Sequence, residues 1–105
     1  MKFRVREYLT TDGVSPFRRW LVARDAPVRA RIQARVLRFE MGNLGDCKAV
    51  GGGVLEARLD FGPGYRIYLA RDGAALVLLL LGGDKSTQAK DIRTARAYWL
   101  DYKEE

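Results

Sequence analysis

Residues 74–81 read Ala-Ala-Leu-Val-Leu-Leu-Leu-Leu, an unbroken apolar run of eight. A bilayer span takes roughly 20 such residues, so this is no membrane helix. Asp72-Gly73, a strong two-residue hairpin turn, precedes the run, and Gly82-Gly83-Asp84-Lys85 breaks it. The segment reads as a strand apolar on both faces, which only a central strand covered on both sides can be.

Its neighbours show ordinary alternation. In residues 65–71, Tyr65, Ile67 and Leu69 alternate with Arg66, Tyr68 and Ala70. In residues 54–61, Leu55, Ala57, Leu59 and Phe61 oppose Glu56, Arg58 and Asp60, and Gly62-Pro63-Gly64 turns the chain between the two. Residues 2–8 set Phe3 and Val5 against Lys2, Arg4 and Arg6 as a further strand with one buried face. Ser15-Pro16 is a helix start, with Phe17, Trp20 and Leu21 in a helix over about 16–24. Asp25 caps a second helix with Pro27 in its first turn, an apolar stripe of Val28, Ile32, Val36 and Phe39, and an end at Gly42. Residues 42–53 hold five glycines and read as a loop. Ser86 or Thr87 caps a last helix whose apolar face is Ala89, Ile92, Ala95, Trp99 and Tyr102.

The order is strand, helix, helix, three strands, helix. It predicts an α+β fold: a mainly antiparallel sheet packed by a helical hairpin and a C-terminal helix. At 105 residues and 48% hydrophobic content, residues 1–105 make one domain with a packed core. The eight-residue run is the longest apolar stretch, and the N-terminus lacks a signal-peptide core, so no membrane or targeting segment is expected.

Composition excludes several chemistries. With no His, there is no imidazole acid or base, no His-ligated zinc and no Ser-His-Asp or Cys-His machinery. The lone Cys47 cannot form an internal disulfide, which suits a reducing cytoplasm. The formal charge is +6, and all of that excess lies in residues 1–41, which carry ten Lys/Arg against four Asp/Glu. Such a balance points either to an anionic partner or to a solvated charged face.

Arg58 and Arg66 leave the same face of neighbouring strands, with Tyr68 beside them, and Lys85 follows the central strand. Either these cations converge on an anion such as phosphate, or Asp60, Glu56 and Asp84 neutralise them on an ordinary surface. Arg31, Arg35 and Arg38 lie at spacings of four and three on the second helix. They either track a nucleic-acid backbone or form the wet side of an amphipathic helix. Trp20, Phe39 and Trp99 sit on apolar stripes and read as core.

Several segments together resemble the RelE/ParE superfamily of toxins from type II toxin–antitoxin systems, within it the HigB-like addiction module killer proteins. They are residues 8–10, Ser15-Pro16-Phe17, Gly42 to Lys48, Phe61-Gly62-Pro63-Gly64-Tyr65-Arg66-Ile67-Tyr68, and residues 81–88, Leu-Gly-Gly-Asp-Lys-Ser-Thr-Gln. The likeness spans about residues 2–102. It implies the RelE-like fold and a cytoplasmic toxin held by a cognate antitoxin, typically a helix-turn-helix protein. The activity it implies is metal-independent, ribosome-dependent mRNA cleavage, with no cofactor. ParE-like inhibition of DNA gyrase and a non-enzymatic phage-derived binding role are the alternatives, because fold alone does not set activity. By the same resemblance Arg66 and Arg58 stabilise the phosphate and Lys85 serves as a further cation or proton carrier. Arg31, Arg35, Arg38 and Lys48 contact RNA or the ribosome. His residues found in some HigB nucleases are missing here, and Tyr98 and Tyr102 fall within the last helix.

Overall fold

The apolar run is the central strand. In the computed structural model, which describes residues 2–104, Ala74 and Ala75 join Gly73 in a three-residue turn in place of the expected two-residue one. β5 (Leu76–Gly83) takes in residues 76–81 of the run and also Gly82 and Gly83, the glycines expected to break it. β1 (Arg4–Glu7) flanks it on one side and β4 (Arg66–Asp72) on the other, followed outward by β3 (Val54–Arg58) and β2 (Cys47–Ala49). β1 runs parallel to β5 and the other three pairings are antiparallel, so the sheet is mixed.

β2 corrects the expectation of a loop over 42–53. Three residues between glycines are too few to show a period. Cys47–Ala49 becomes a strand only by pairing with β3, with Lys48 opposite Glu56. The glycines Gly51, Gly52 and Gly53, all at positive φ, close the hairpin between the two strands.

Helices cover both faces. α1 (Pro16–Val22) and α2 (Ala26–Glu40) lie on one, where Phe17, Leu21, Ile32 and Phe39 pack with Ile67, Leu69, Val77 and Leu79. α3 (Gln88–Glu104) lies on the other, where Ala95 and Trp99 meet Tyr8, Val54, Tyr68, Leu78 and Leu80. Alternate residues of β5 thus enter two separate cores. Full burial of a leucine is worth about 1.5–3 kcal/mol, which is why neither face of this strand is polar.

A bulge interrupts the β4–β5 register between Tyr68 and Leu69: Leu69 pairs with Leu79 but Tyr68 with Leu81. The extra residue resets the alternation. Beyond it, Gly82 lies under Trp20 of α1 and Gly83 under Asp91 of α3.

The helix starts mostly follow their local signals. The Ser15 hydroxyl accepts from the Arg18 amide at 3.0 Å, and Gly42, at φ 92°, ends α2. Asp25 precedes α2 in extended conformation but makes no side-chain cap. α1 stops at Val22, short of residue 24. Ala89 is exposed rather than on the apolar face of α3, and Asp91 is buried there.

Candidate functional site

The site begins with two glycines chosen for space. Neither Gly82 nor Gly83 has positive φ, yet a Cβ at Gly82 would collide with the Trp20 ring and one at Gly83 with the Asp91 carboxylate. Asp84 then turns the chain. Its Oδ1 accepts from the Ser86 amide at 2.8 Å and starts a short 3-10 turn, Lys85–Thr87. Asp84 thus caps the 3-10 turn that leads into α3, and the Thr87 hydroxyl, expected with Ser86 as a cap for that helix, donates to Asp91 at 2.5 Å.

The Gly62-Pro63-Gly64 turn lies against this segment. The Lys85 amide donates to the Pro63 carbonyl at 3.3 Å. Arg66 Nη1 donates to the Gly64 carbonyl at 2.6 Å. A Cβ on Gly64, which sits at φ 79°, would lie 3.1 Å from Arg66 Nη1 and 3.4 Å from the Lys85 Cβ. Gly64 is therefore the spacer that brings these two cationic residues to one turn. Arg58 completes the group, directly opposite Arg66 in the β3–β4 register.

Like charges placed opposite each other on a sheet are destabilising. Glu56 relieves them. It is fully buried, and its carboxylate lies 3.4 Å from Arg58 Nε and 3.5 Å from Arg66 Nε. It also accepts from the Tyr68 hydroxyl at 3.1 Å and from Gln88 Nε2 at 3.0 Å. Burial pushes the Glu56 carboxyl up, but the bonds from Gln88, Tyr68 and Arg58 and the Arg66 charge outweigh it and hold the group below its ordinary value. Burial and the Glu56 charge keep the Tyr68 phenol protonated. Burial raises the Asp91 carboxyl, against its bond from Thr87.

Exposure separates the three cations. The Arg66 side chain is 8% exposed and the Arg58 side chain 40%. Lys85 is exposed. Arg58 and Lys85 can present donors to a ligand, while Arg66 contributes its charge from behind them. Lys48 is exposed on edge strand β2, in the cross-strand row of Glu56 and Tyr68.

On α2, Arg31 and Arg38 are exposed, but Arg35 is not on the wet side. It is 6% exposed, and its guanidinium donates to the carbonyls of Arg58 at 2.7 Å, Leu44 at 3.2 Å and Asp46 at 3.2 Å. Gly45, at φ 68°, lets the loop close on it: a Cβ there would come within 2.9 Å of Arg35 Nη2. Sequence spacing missed this because a buried arginine and a solvated one share the same helical period. Cys47 donates to the Leu44 carbonyl at 3.1 Å, and burial raises its thiol, so it is held as a thiol rather than as a thiolate nucleophile.

Glu56 and Gln88 are the members of the site that spacing underrated. Glu56 alternates with apolar residues like any solvent-facing carboxylate, and only the covering α3 makes it a buried hub. Among the described residues, no three or more His, Cys, Asp or Glu side chains gather to hold a metal ion, and no helix is long and apolar enough to cross a membrane.

No family model matches the chain, and no solved structure matches it. It is 43% identical over 97 residues to an uncharacterized protein of Haemophilus influenzae, an alignment covering 91% of this chain and 92% of that protein. The chain belongs to the same family as that protein.

Proposed function

We propose that this chain is a toxin of RelE/ParE type in the HigB-like group, acting as a metal-independent, ribosome-dependent mRNA endonuclease in the cytoplasm. The observation that carries the reading is the meeting of Arg58, Arg66 and Lys85: two arginines in one register pair and a lysine sharing the Gly64 spacer. Three cations gathered at one end of a sheet, with Glu56 buried among them and Asp91 buried against Gly83, are suited to an incoming phosphate.

In the reaction, a ribose 2′-hydroxyl loses its proton to water as its oxygen attacks the adjacent phosphorus. The bond to the 5′-oxygen breaks, and that oxygen takes a proton from Lys85, which water restores, leaving a 2′,3′-cyclic phosphate and a 5′-hydroxyl. Arg58 and Lys85 donate to the charged phosphorane-like state, and Arg66 adds its field. Glu56 is held as an acceptor by its surrounding donors, so it positions arginines rather than taking the proton. The toxin's partner is a cognate antitoxin of helix-turn-helix type, which the resemblance implies.

The test is transcript-end mapping after induced expression. New 5′ ends within translated frames, together with growth arrest, are expected, and both are lost in Lys85→Ala. Intact transcripts alongside inhibited supercoiling by purified gyrase would replace this reading with gyrase inhibition.

A further inference from the structure

We infer that the cavity between α2 and the end of β3 is a second phosphate site, one that takes a backbone phosphodiester of single-stranded RNA. The cavity has a volume of about 350 Å³ and is lined by Arg31, Arg35, Arg38 and Arg58, with Asp46, Asp60 and Phe61 among its other walls. Four arginines thus line it beside two aspartates, Arg58 with its carbonyl held by Arg35 and its Nε turned to Glu56. Among the described residues, no ion pair joins either aspartate to any of the four.

The charge here is built in. All three acceptors of Arg35 are neutral carbonyls, so no carboxylate compensates its buried charge, and its buried Nε has no hydrogen-bond partner. An uncompensated buried cation is costly and favours an anion beside it. Arg31 is steadied over the Phe61 ring, 3.9 Å from its centroid. Several guanidinium groups arriving from successive turns of one helix suit the several oxygens of a phosphate better than the single edge of a carboxylate.

Arg58 joins this cavity to the site already described. Its carbonyl is held by Arg35 and its side chain by Glu56. A strand crossing Arg58 would set one phosphate in each place. The choice of RNA as the source rests on the nuclease reading.

The experiment measures binding of a 2′-O-methyl oligonucleotide, which lacks the attacking hydroxyl, to the full chain. Poly-glutamate of equal length is the comparison probe. Arg31 and Arg38 are exposed, so the double variant Arg31→Gln/Arg38→Gln keeps the fold, checked by its unfolding curve. Its oligonucleotide affinity should fall about tenfold or more, the scale of one or two missing charge-assisted bonds. The salt dependence should become shallower by about 0.7 in log–log slope for each phosphate no longer neutralised. Unchanged affinity in the double variant, no oligonucleotide binding by the parent chain, or tighter binding of poly-glutamate would each overturn the proposal. If transcripts are not cleaved but the variant still loses oligonucleotide affinity, the nuclease reading fails and the pocket stands. If transcripts are cleaved but the variant binds as tightly as the parent, the pocket fails and the nuclease reading stands.

Discussion

The Tyr68 hydroxyl donates to the Glu56 carboxylate at 3.1 Å, with both side chains fully withdrawn from solvent. The phenol tethers a carboxylate that separates two arginines. Removing the carboxylate and removing the tether should therefore have unequal effects. Glu56→Gln leaves Arg66 buried without its countercharge and should cost about 3 kcal/mol or more in urea unfolding. Tyr68→Phe loses one bond to a charged acceptor and should cost about 1.5–3 kcal/mol. Equal losses would mean that Glu56 acts only as a neutral acceptor.

Acid should weaken the fold through the same group. Glu56 titrates below its unfolded value of 4.5, because the bonds it accepts and the Arg66 charge exceed the opposing effect of burial. Its contribution is present above that value and is lost as the pH falls through the folded pKa. Asp91 has the opposite sign: burial raises it above 3.8, so its ionised form costs stability at neutral pH and that cost fades on acidification. Asp91→Asn should stabilise the protein at about pH 7, and the gain should shrink towards about pH 3, read from urea midpoints across the range.

Arg35 should prove structural. Arg35→Gln strands carbonyls of Leu44, Asp46 and Arg58. A loss of about 3 kcal/mol is expected, at about 1–3 kcal/mol for each unsatisfied buried group. Arg35→Lys should not restore it, because an ammonium lacks the fork that reaches several acceptors. Amide exchange in residues 44–46 should rise in both variants.

Gly82 should resist any side chain. Gly82→Ala places a methyl into the Trp20 ring and should cost about 1–3 kcal/mol or more. Adding Trp20→Leu should recover part of that loss. A double-mutant cycle with no coupling would remove the proposed collision.

Activity and stability should part at Lys85 and Arg66. On the nuclease reading, Lys85→Ala lowers cleavage about 100-fold or more while shifting stability by less than about 0.5 kcal/mol, since Lys85 is exposed. Arg66→Ala should lower both, because Arg66 also holds the Gly64 carbonyl and faces Glu56. Single-turnover cleavage and urea unfolding on the same preparations separate the two effects.

Local pattern was enough for much of this molecule. The central strand, the turn at Gly62-Pro63-Gly64 and the start at Ser15-Pro16 are short-range signals, whereas the strand's bounds shifted by two residues and the turn before it widened to Gly73–Ala75. Alternation also placed Arg58, Arg66 and Tyr68 on one face. The burial of Glu56 and Arg35 was not legible, nor was the strand at Cys47–Ala49. A polar residue in an alternating strand looks the same whether water or a helix covers its face.

The amino-acid sequence by itself determined which residues point together, because side-chain direction follows from the backbone period. Only the tertiary structure decided which of those faces is wet. α3 closed over Glu56, a loop closed over Arg35, and the β5 bulge turned Gly82 and Gly83 towards Trp20 and Asp91. Desolvation depends on what packs against a face, and that partner comes from a distant part of the chain.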